Sequence, residues 1–304
     1  MKATEATIGD WTRRATTVSV GGESVAVFDI PPESEEQAAD VPPLLVVHGF
    51  PTSSIDFEPV ASPLARRRRV VLMDLPGYGL SAKPDRSYSL FEQADVVEAV
   101  AAGTGVTEFD LLTHNMGDSV GGELLARSLE GALSFQVRRR ALTNGSIYLE
   151  LAQLTAGQQF LRELPDAALS DQDAPHADTL AEALVALCAP DLRTNEVRRR
   201  LHAATALLMR DGGHRLLPRL VRYIDERAEH ESRWTGAIET HPAPLTVIWG
   251  RHDPIAVAAM ADRLANRRPD AAVVWLDAGH WPMTERPKAF AEAVIGWLDV
   301  SPTT

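Results

Sequence analysis

Short hydrophobic runs alternate with amphipathic segments through the first half of the chain. The runs are typical of strands buried on both faces, and the segments between them carry apolar residues at helical spacing. Strands that alternate with helices indicate parallel βαβ units with right-handed crossovers. The pattern predicts strands at 43–47, 70–73, 109–112 and 141–143, and helices at 54–67, 89–102 and 119–129.

This alternation stops between residues 147 and 241, where the pattern is helical and shows no convincing strand. A segment of this length is not a structureless loop in a compact protein, so an inserted helical cap is predicted. Its helices are expected at 150–163, 179–187, 195–210 and 216–229. Afterwards the alternation resumes, with strands at 245–249 and 272–276 and helices at 256–265 and 285–298.

Two β-branched segments, 16–20 and 25–30, flank Gly21-Gly22 and predict an antiparallel hairpin at the start of the sheet. The predicted fold class is therefore α/β, with a mostly parallel eight-stranded sheet flanked by helices. The domains are expected to be a core at 1–146 and 242–304 and a cap at 147–241.

A sheet of this kind binds ligands in the crevice over the carboxyl ends of its strands, which the cap would roof. The loops that follow the predicted strands should meet at this edge. They are 48–51, 113–117, 144–148, 250–254 and 278–282.

Composition narrows the classes of partner. The formal net charge of −12 over 304 residues argues against a nucleic acid, since binding to phosphates needs clustered Lys and Arg. The arginine runs at 66–69, 138–140 and 198–200 are interpreted as solvated helix ends or loops. The one cysteine fits a reducing compartment, and no segment is long and apolar enough to span a bilayer. We expect a cytoplasmic monomer or homodimer that acts on a small molecule without a membrane partner.

Neither a metal nor a cofactor is expected. No His or Cys pair has ligand spacing with a carboxylate on the same element. The first strands are not followed by a Gly-rich dinucleotide fingerprint.

Residues 109–123, FDLLTHNMGDSVGGE, contain the most informative turn in the chain. An apolar run stops at Thr113, a turn of short residues follows, and helix-forming residues continue from Asp118. This is the pattern of a nucleophile elbow, which lifts one side chain above the carboxyl edge of a parallel sheet. The expected central residue is Ser, Cys or Asp, whereas this chain has Asn115. Asn tolerates the positive φ that an elbow requires, which explains why it is allowed there but assigns it no role.

Five motifs carry a resemblance to a known family: HGFPTSS at His48, DLPGYGLSAKP at Asp74, THNMGDSVGGELLAR at Thr113, WGRHDP at Trp249 and GHWPMTERP at Gly279. In order and spacing, the chain resembles the α/β-hydrolase family. Within that family it is similar to the cap-domain branch, which includes epoxide hydrolases, haloalkane dehalogenases and the mesoderm-specific-transcript group. The resemblance covers nearly all of the chain and is weakest in the cap.

The family's chain order of nucleophile, acid and histidine implies that Asn115, Asp253 and His280 are the catalytic residues. Such an imidazole takes a proton from water, and a carboxylate on its other nitrogen fixes the tautomer and stabilises the imidazolium. The resemblance also implies an oxyanion site formed by the backbone N–H groups of Phe50 and Met116.

In the epoxide hydrolases and dehalogenases that the chain resembles, the elbow aspartate attacks carbon, and histidine-activated water hydrolyses the resulting ester. An amide attacks carbon poorly, because its oxygen carries no full charge and its nitrogen is not nucleophilic. The leading hypothesis is that Asn115 replaces such an aspartate, either to stop turnover or as a residue that slowly hydrolyses to Asp, with epoxide opening as the reaction.

Two alternatives remain open. In the first, the His280–Asp253 pair is the general base of a cofactor-free lyase, isomerase or non-covalent hydrolase, and Asn115 donates a hydrogen bond. In the second, the protein binds a small molecule on a hydrolase scaffold without catalysis.

The resemblance also suggests substrate contacts. Met116 stands where many dehalogenases and epoxide hydrolases carry Trp, so halide release is poorly supported. Cap tyrosines protonate the epoxide oxygen in epoxide hydrolases, and tryptophans beside the site are suited to line an apolar pocket. His48 is expected to pack around its loop beside the substrate. The predicted substrate contacts are Tyr148 and Tyr223 from the cap, Trp234 and Trp281 at the pocket, and His48.

Overall fold

Eight strands in the described residues form one sheet. The structure is a computed structural model that describes residues 2–38 and 41–299. Residues 1, 39–40 and 300–304, which belong to the predicted core, lie outside the described residues. The strands are β1 (Ala15–Val20), β2 (Glu23–Ile30), β3 (Leu44–Val47), β4 (Val70–Met73), β5 (Glu108–His114), β6 (Gln136–Thr143), β7 (Leu245–Gly250) and β8 (Ala272–Leu276).

The strands lie in the order β1-β2-β4-β3-β5-β6-β7-β8. The β1–β2 and β2–β4 pairs are antiparallel, and the pairs from β4 to β8 are parallel. This topology confirms the predicted fold class. Because parallel neighbours end at the same edge, the loops after β3, β5, β6, β7 and β8 emerge together there.

Both faces of the central strands β3, β4 and β5 are buried. In β3, Leu45 and Val47 belong to one hydrophobic cluster, whereas Leu44 and Val46 belong to the other. Side chains alternate across a strand, so a strand with helices on both faces needs apolar residues at every position. This requirement explains the continuous hydrophobic runs in the sequence.

The helices flank the sheet and fill the segment between β6 and β7. They are α1 (Lys2–Thr12), α2 (Glu35–Ala38), α3 (Glu58–Ala65), α4 (Leu90–Gly103), α5 (Met116–Leu129), α6 (Ala156–Glu163), α7 (Ala177–Val185), α8 (Asn195–Met209), α9 (Leu217–Leu220), α10 (Tyr223–Glu229), α11 (Glu231–Thr240), α12 (Ala258–Arg267), α13 (Pro282–Glu285) and α14 (Pro287–Asp299). Short 3₁₀ turns lie at Ser54–Phe57, Leu149–Leu151, Pro190–Leu192 and Arg210–Leu216.

Residues 144–244, all of which are described, contain helices and turns but no strand. Helix α6 begins later than predicted, because Thr155 and Gln158 form a capping box at its first turn. The sequence pattern did not predict α1 or α11. The arginine run 198–200 lies within α8, half-buried, rather than at a helix end.

The interpretation of the other two arginine runs as solvated is wrong for their buried members. Arg139 and Arg140 lie inside β6, and Arg68 is buried just before β4. Arg68 and Arg139 both pair with Asp110 of β5, at Nη–Oδ2 distances of 3.0 and 2.9 Å. The Asp110 carboxylate, 0% exposed, therefore compensates two buried guanidinium groups.

Asp110→Ala is expected to lower the free energy of unfolding by about 3–5 kcal/mol, because the change removes the buried carboxylate that pairs with the guanidinium groups of Arg68 and Arg139. Chemical denaturation would measure this loss. Glu292→Ala is the control, since Glu292 is exposed and its carboxylate lies 3.9 Å from Lys288. Equal losses in the two variants would contradict the assignment.

Candidate active site

The elbow places the side chain of residue 115 above the edge of the sheet. Strand β5 ends at His114, α5 begins at Met116, and Asn115 between them has a φ of 54°. The neighbouring backbone approaches closely because two positions lack a side chain. A Cβ on Gly49 would lie 2.4 Å from the Asn115 Cβ, and one on Gly117 would lie 2.5 Å from the carbonyl oxygen of Val47.

Three partners hold the amide of Asn115 in place. Its Oδ1 accepts hydrogen bonds from the backbone N–H groups of Phe50 at 3.0 Å and Met116 at 2.5 Å. Its Nδ2 donates to Nε2 of His280 at 2.8 Å. Two converging N–H donors require an oxygen, which fixes the orientation of the amide. The N–H groups predicted to form the oxyanion site thus contact the side-chain oxygen of residue 115 itself.

The imidazole of His280 joins the amide to Asp253. Because Nε2 accepts from Asn115, the proton of the neutral ring lies on Nδ1, which donates to Asp253 Oδ2 at 2.7 Å. His280 is 1% exposed and Asp253 4% exposed. The three residues carried over from the family pattern are therefore brought together in one hydrogen-bonded chain.

Asn144 orients the carboxylate of Asp253 and was not predicted. Its Nδ2 donates to Asp253 Oδ2 at 2.7 Å, and its Oδ1 accepts from the Gly250 N–H at 2.9 Å. Asp253 Oδ1 accepts from the backbone N–H groups of Ile255 and Ala256 at 2.7 and 3.0 Å. The sequence feature that could have identified Asn144 as a site residue is its position directly after β6, in a loop predicted to reach the crevice.

Two other buried histidines hold loops in place. His114 donates from Nε2 to the backbone carbonyl of His280 at 2.9 Å, and burial puts its pKa well below the ordinary value. His48 accepts from the Leu75 N–H on Nε2 at 3.0 Å and donates from Nδ1 to the Gly49 carbonyl at 2.9 Å. Burial also lowers the pKa of His48. With both ring nitrogens engaged, His48 packs its loop as expected, and the structure does not place it among the substrate contacts.

A cavity of about 320 Å³ lies over Asn115 and His280. Its floor is formed by Phe50, Pro51, Asn115, Ile255 and His280. Its other walls come from the helical segment between β6 and β7 and are mostly apolar: Thr155, Ala156, Gly157, Gln158, Leu161, Leu180, Ala183, Leu184, Ala186, Leu187 and Leu217. An apolar cavity with a few convergent polar groups is typical of a small-molecule site.

A model of the alpha/beta hydrolase fold family matches residues 42–287. The chain belongs to the alpha/beta hydrolase family. This hydrolase is 41% identical over 261 residues to the putative hydrolase LipZ of Mycobacterium tuberculosis, covering 85% of this chain and 89% of that protein. It is 29% identical over 266 residues to the mesoderm-specific transcript protein of Mus musculus, with 84% and 78% covered.

The fold has close counterparts among solved structures. An enol-lactonase from Burkholderia xenovorans LB400 superposes with a TM-score of 0.74 at 20% sequence identity, covering 94% of this chain and 100% of that chain. Identity at this level is evidence for the fold alone. Together with the family match, it confirms the resemblance that the five motifs indicated.

Two aromatic residues predicted to contact substrate lie outside this cavity of the hydrolase. The Tyr148 hydroxyl donates to Glu239 at 2.8 Å, and the Arg263 guanidinium lies 4.3 Å from the centre of its ring. Trp234 is 1% exposed and donates from Nε1 to Glu123 at 2.8 Å. Both predictions are corrected: Tyr148 faces a separate polar cleft, and Trp234 packs α11 against α5.

The remaining two aromatic residues lie next to residues that line the cavity. Trp281 is fully buried, its ring centre is 4.5 Å from that of His280, and its Nε1 donates to the Leu184 carbonyl at 3.3 Å. Trp281 therefore supports the imidazole rather than lining the pocket. The Tyr223 ring lies 5.4 Å from that of Phe50, which lines the cavity, and burial raises the pKa of Tyr223 to about 12. Substrate contact by Tyr223 stays a prediction.

Among residues 2–38 and 41–299, no helix combines the length and hydropathy needed to cross a bilayer. Within the same part of the chain, no three His, Cys, Asp or Glu side chains are grouped in a way that would hold a metal ion. Cys188 is buried, and burial raises the pKa of its thiol.

Proposed function

We propose that this hydrolase acts on small, mostly apolar electrophiles, epoxides above all, through an ester formed on residue 115. The observation that supports this proposal is the position of the Asn115 Oδ1 atom. This oxygen already accepts hydrogen bonds from the backbone N–H groups of Phe50 and Met116, at 3.0 and 2.5 Å. In a serine-type hydrolase, these donors would have to be free for the carbonyl oxygen of the substrate.

Donors aimed at Oδ1 stabilise negative charge that develops on that atom. Such charge arises when water adds to Cγ of residue 115, as it does in the hydrolysis of an ester on that residue. The His280–Asp253 pair, 2.8 Å from the other amide atom, is placed to activate the water. The geometry therefore favours an aspartate-type mechanism, in which the side chain of residue 115 is both nucleophile and acyl group.

The side-chain amide of Asn115 is itself open to the same addition of water at Cγ. His280 Nε2 takes a proton from water, the hydroxide adds to Cγ, and the oxyanion on Oδ1 is held by Phe50 and Met116. The imidazolium then returns the proton to Nδ2, with which it is already in hydrogen-bond contact. Ammonia leaves and takes up the proton of the new acid, so the amide of Asn115 becomes an aspartate carboxylate and ammonium is released. We propose that this hydrolysis supplies the carboxylate that the chain lacks.

With a carboxylate at 115, the epoxide reaction balances with water as the only co-reactant. Oδ2 attacks a ring carbon, the carbon–oxygen bond opens, and the alkoxide takes a proton, which we assign to the Tyr223 hydroxyl. Water activated by His280 hydrolyses the ester, and the imidazolium protonates the diol oxygen as it leaves. The new acid at residue 115 then gives up its proton, which restores the Tyr223 hydroxyl and regenerates the carboxylate. Asp253 stabilises the imidazolium formed in this step. The apolar walls and the volume of about 320 Å³ suit a small apolar substrate.

The alternatives receive less support from this geometry. General-base catalysis by the His280–Asp253 pair alone gives no role to the two N–H groups that converge on the Asn115 Oδ1 atom. A binding protein without chemistry needs neither the aligned His280–Asp253 pair nor two N–H donors aimed at one oxygen.

The test follows freshly purified protein over time at mildly alkaline pH, with peptide mass spectrometry and hydrolysis of an apolar epoxide such as styrene oxide. We expect the peptide that contains residue 115 to gain the mass of an amide-to-acid change, and activity to rise in proportion to the converted fraction. Asn144 is the internal control for ordinary deamidation, because Gly145 follows it. Full activity while the Asn115 amide is intact would contradict the proposal.

A further inference from the structure

Glu285, the last residue of α13, is buried, and its carboxylate takes no direct part in the proposed reaction. Its Oε2 accepts backbone N–H bonds from Gly279 at 2.8 Å and Ala189 at 2.9 Å, and its Oε1 accepts one from Trp281 at 3.0 Å. Gly279 and Trp281 are the chain neighbours of His280. One carboxylate therefore holds the backbone on both sides of the imidazole.

The third contact reaches the wall of the cavity. Ala189 follows Leu184 and Leu187, which both line the cavity. The His280 N–H donates to the Leu187 carbonyl at 3.1 Å, beside the Ala189 N–H that donates to Glu285. The loop that carries His280 is thus joined directly to the segment that a bound substrate would touch.

The donor pattern requires a carboxylate. All three partners are N–H groups, so both oxygens of the side chain must accept, and a glutamine would direct an NH₂ group at an N–H. Burial raises the pKa of Glu285, while the three N–H bonds favour the ionised form. A buried carboxylate is costly unless it is fully hydrogen-bonded, and an apolar side chain at this position would leave three buried N–H groups without their acceptor.

We propose that Glu285 is a positioning residue for His280, which fixes the backbone on both sides of the imidazole and couples it to the cavity wall at Ala189. The proposal rests on the proposed function, in which His280 activates the water that hydrolyses the ester. Attack by the residue 115 carboxylate does not use His280. Loss of Glu285 should therefore slow ester hydrolysis and leave ester formation unchanged.

The test uses the full chain with Asn115→Asp and compares Glu285→Gln, Glu285→Asp and Glu292→Gln by rapid-mixing kinetics with styrene oxide. Glu292 is the matched control, because it is an exposed glutamate on the following helix. Glu285→Gln should keep the rate of ester formation and lower ester hydrolysis per reactive site by about 10- to 100-fold, as expected for a misplaced catalytic group. Glu285→Asp keeps two acceptor oxygens and should recover part of the loss.

Equal ester hydrolysis per reactive site in Glu285→Gln and Glu292→Gln would overturn the proposal, since Glu285 would then support only the fold. If Glu285→Gln does not fold, Glu285→Asp carries the comparison, and an unchanged rate in that variant overturns the proposal in the same way.

A second measurement needs no substrate and separates this proposal from the proposed function. In the chain with Asn115, the His280 Nδ1 proton bound to Asp253 is followed by proton NMR with labelled histidine. We expect it to exchange with water faster in Glu285→Gln than in Glu292→Gln, and equal exchange would overturn the role of Glu285. A lack of ester formation in Asn115→Asp would instead overturn the proposed function and leave the NMR result to decide on Glu285.

Discussion

Asn115→Asp is expected to raise kcat/KM for epoxide hydrolysis by at least about 10³-fold over protein whose amide is intact, since loss of a catalytic nucleophile costs up to about 10⁶-fold in kcat. The physical reason is that the carboxylate carries a full negative charge, and Oδ2 is the oxygen left to attack while Oδ1 keeps its two N–H donors from Phe50 and Met116. Steady-state kinetics on a panel of apolar epoxides would measure the gain.

Asn115→Ala is the matched control for this gain. It removes the nucleophile and leaves His280 and Asp253 in place, so we expect it to stay inactive over the whole time course. A lack of gain in Asn115→Asp would contradict the aspartate-type mechanism. Activity in Asn115→Ala would favour general-base catalysis by the His280–Asp253 pair.

His280→Gln in the Asn115→Asp background is expected to abolish turnover and spare the first half-reaction. The ester should form once per active site and then persist, with steady-state turnover lowered by about 10⁴-fold or more, comparable to the loss of function of a triad histidine. Rapid-mixing kinetics would separate the burst from the steady state. The reason is that His280 acts only on the hydrolytic water.

His252→Gln is the control for this variant, because His252 is exposed and its Nε2 lies 2.7 Å from Asp277 at the surface. It should turn over normally. Loss of both burst and turnover in His280→Gln would show that the imidazole is needed for the attack itself, which contradicts the proposed order of steps.

The sheet and its loops were predictable from the sequence because the spacing of hydrophobic residues along an element depends on which of its faces are buried. A strand buried on both faces, such as Leu44–Val47, appears in the sequence as a continuous apolar run. The elbow was predictable because an apolar strand, a turn of short residues and a helix follow one another directly in residues 109–129. Family order then assigned Asp253 and His280, which no local pattern around either residue would have distinguished from a turn.

Other features depend on tertiary contacts that sequence patterns do not contain. Arg139 lies in an arginine run that suggests solvent exposure, whereas in the fold it is buried and pairs with Asp110 of the neighbouring strand. Trp234 is a residue type suited to an apolar pocket, but its indole N–H donates to Glu123, which joins α11 to α5. Asn144 and Glu285 act through hydrogen bonds to backbone or carboxylate groups that are distant in sequence, and such pairings become visible only when the loops are brought together.

The most direct test of the central claim is the site at which an epoxide becomes covalently attached. The Asn115→Asp, His280→Gln double variant is incubated with styrene oxide, digested and analysed by tandem mass spectrometry. We expect one adduct per chain, attached as an ester to the side chain of residue 115. An adduct on another residue, or the absence of any adduct in folded protein, would contradict the central claim.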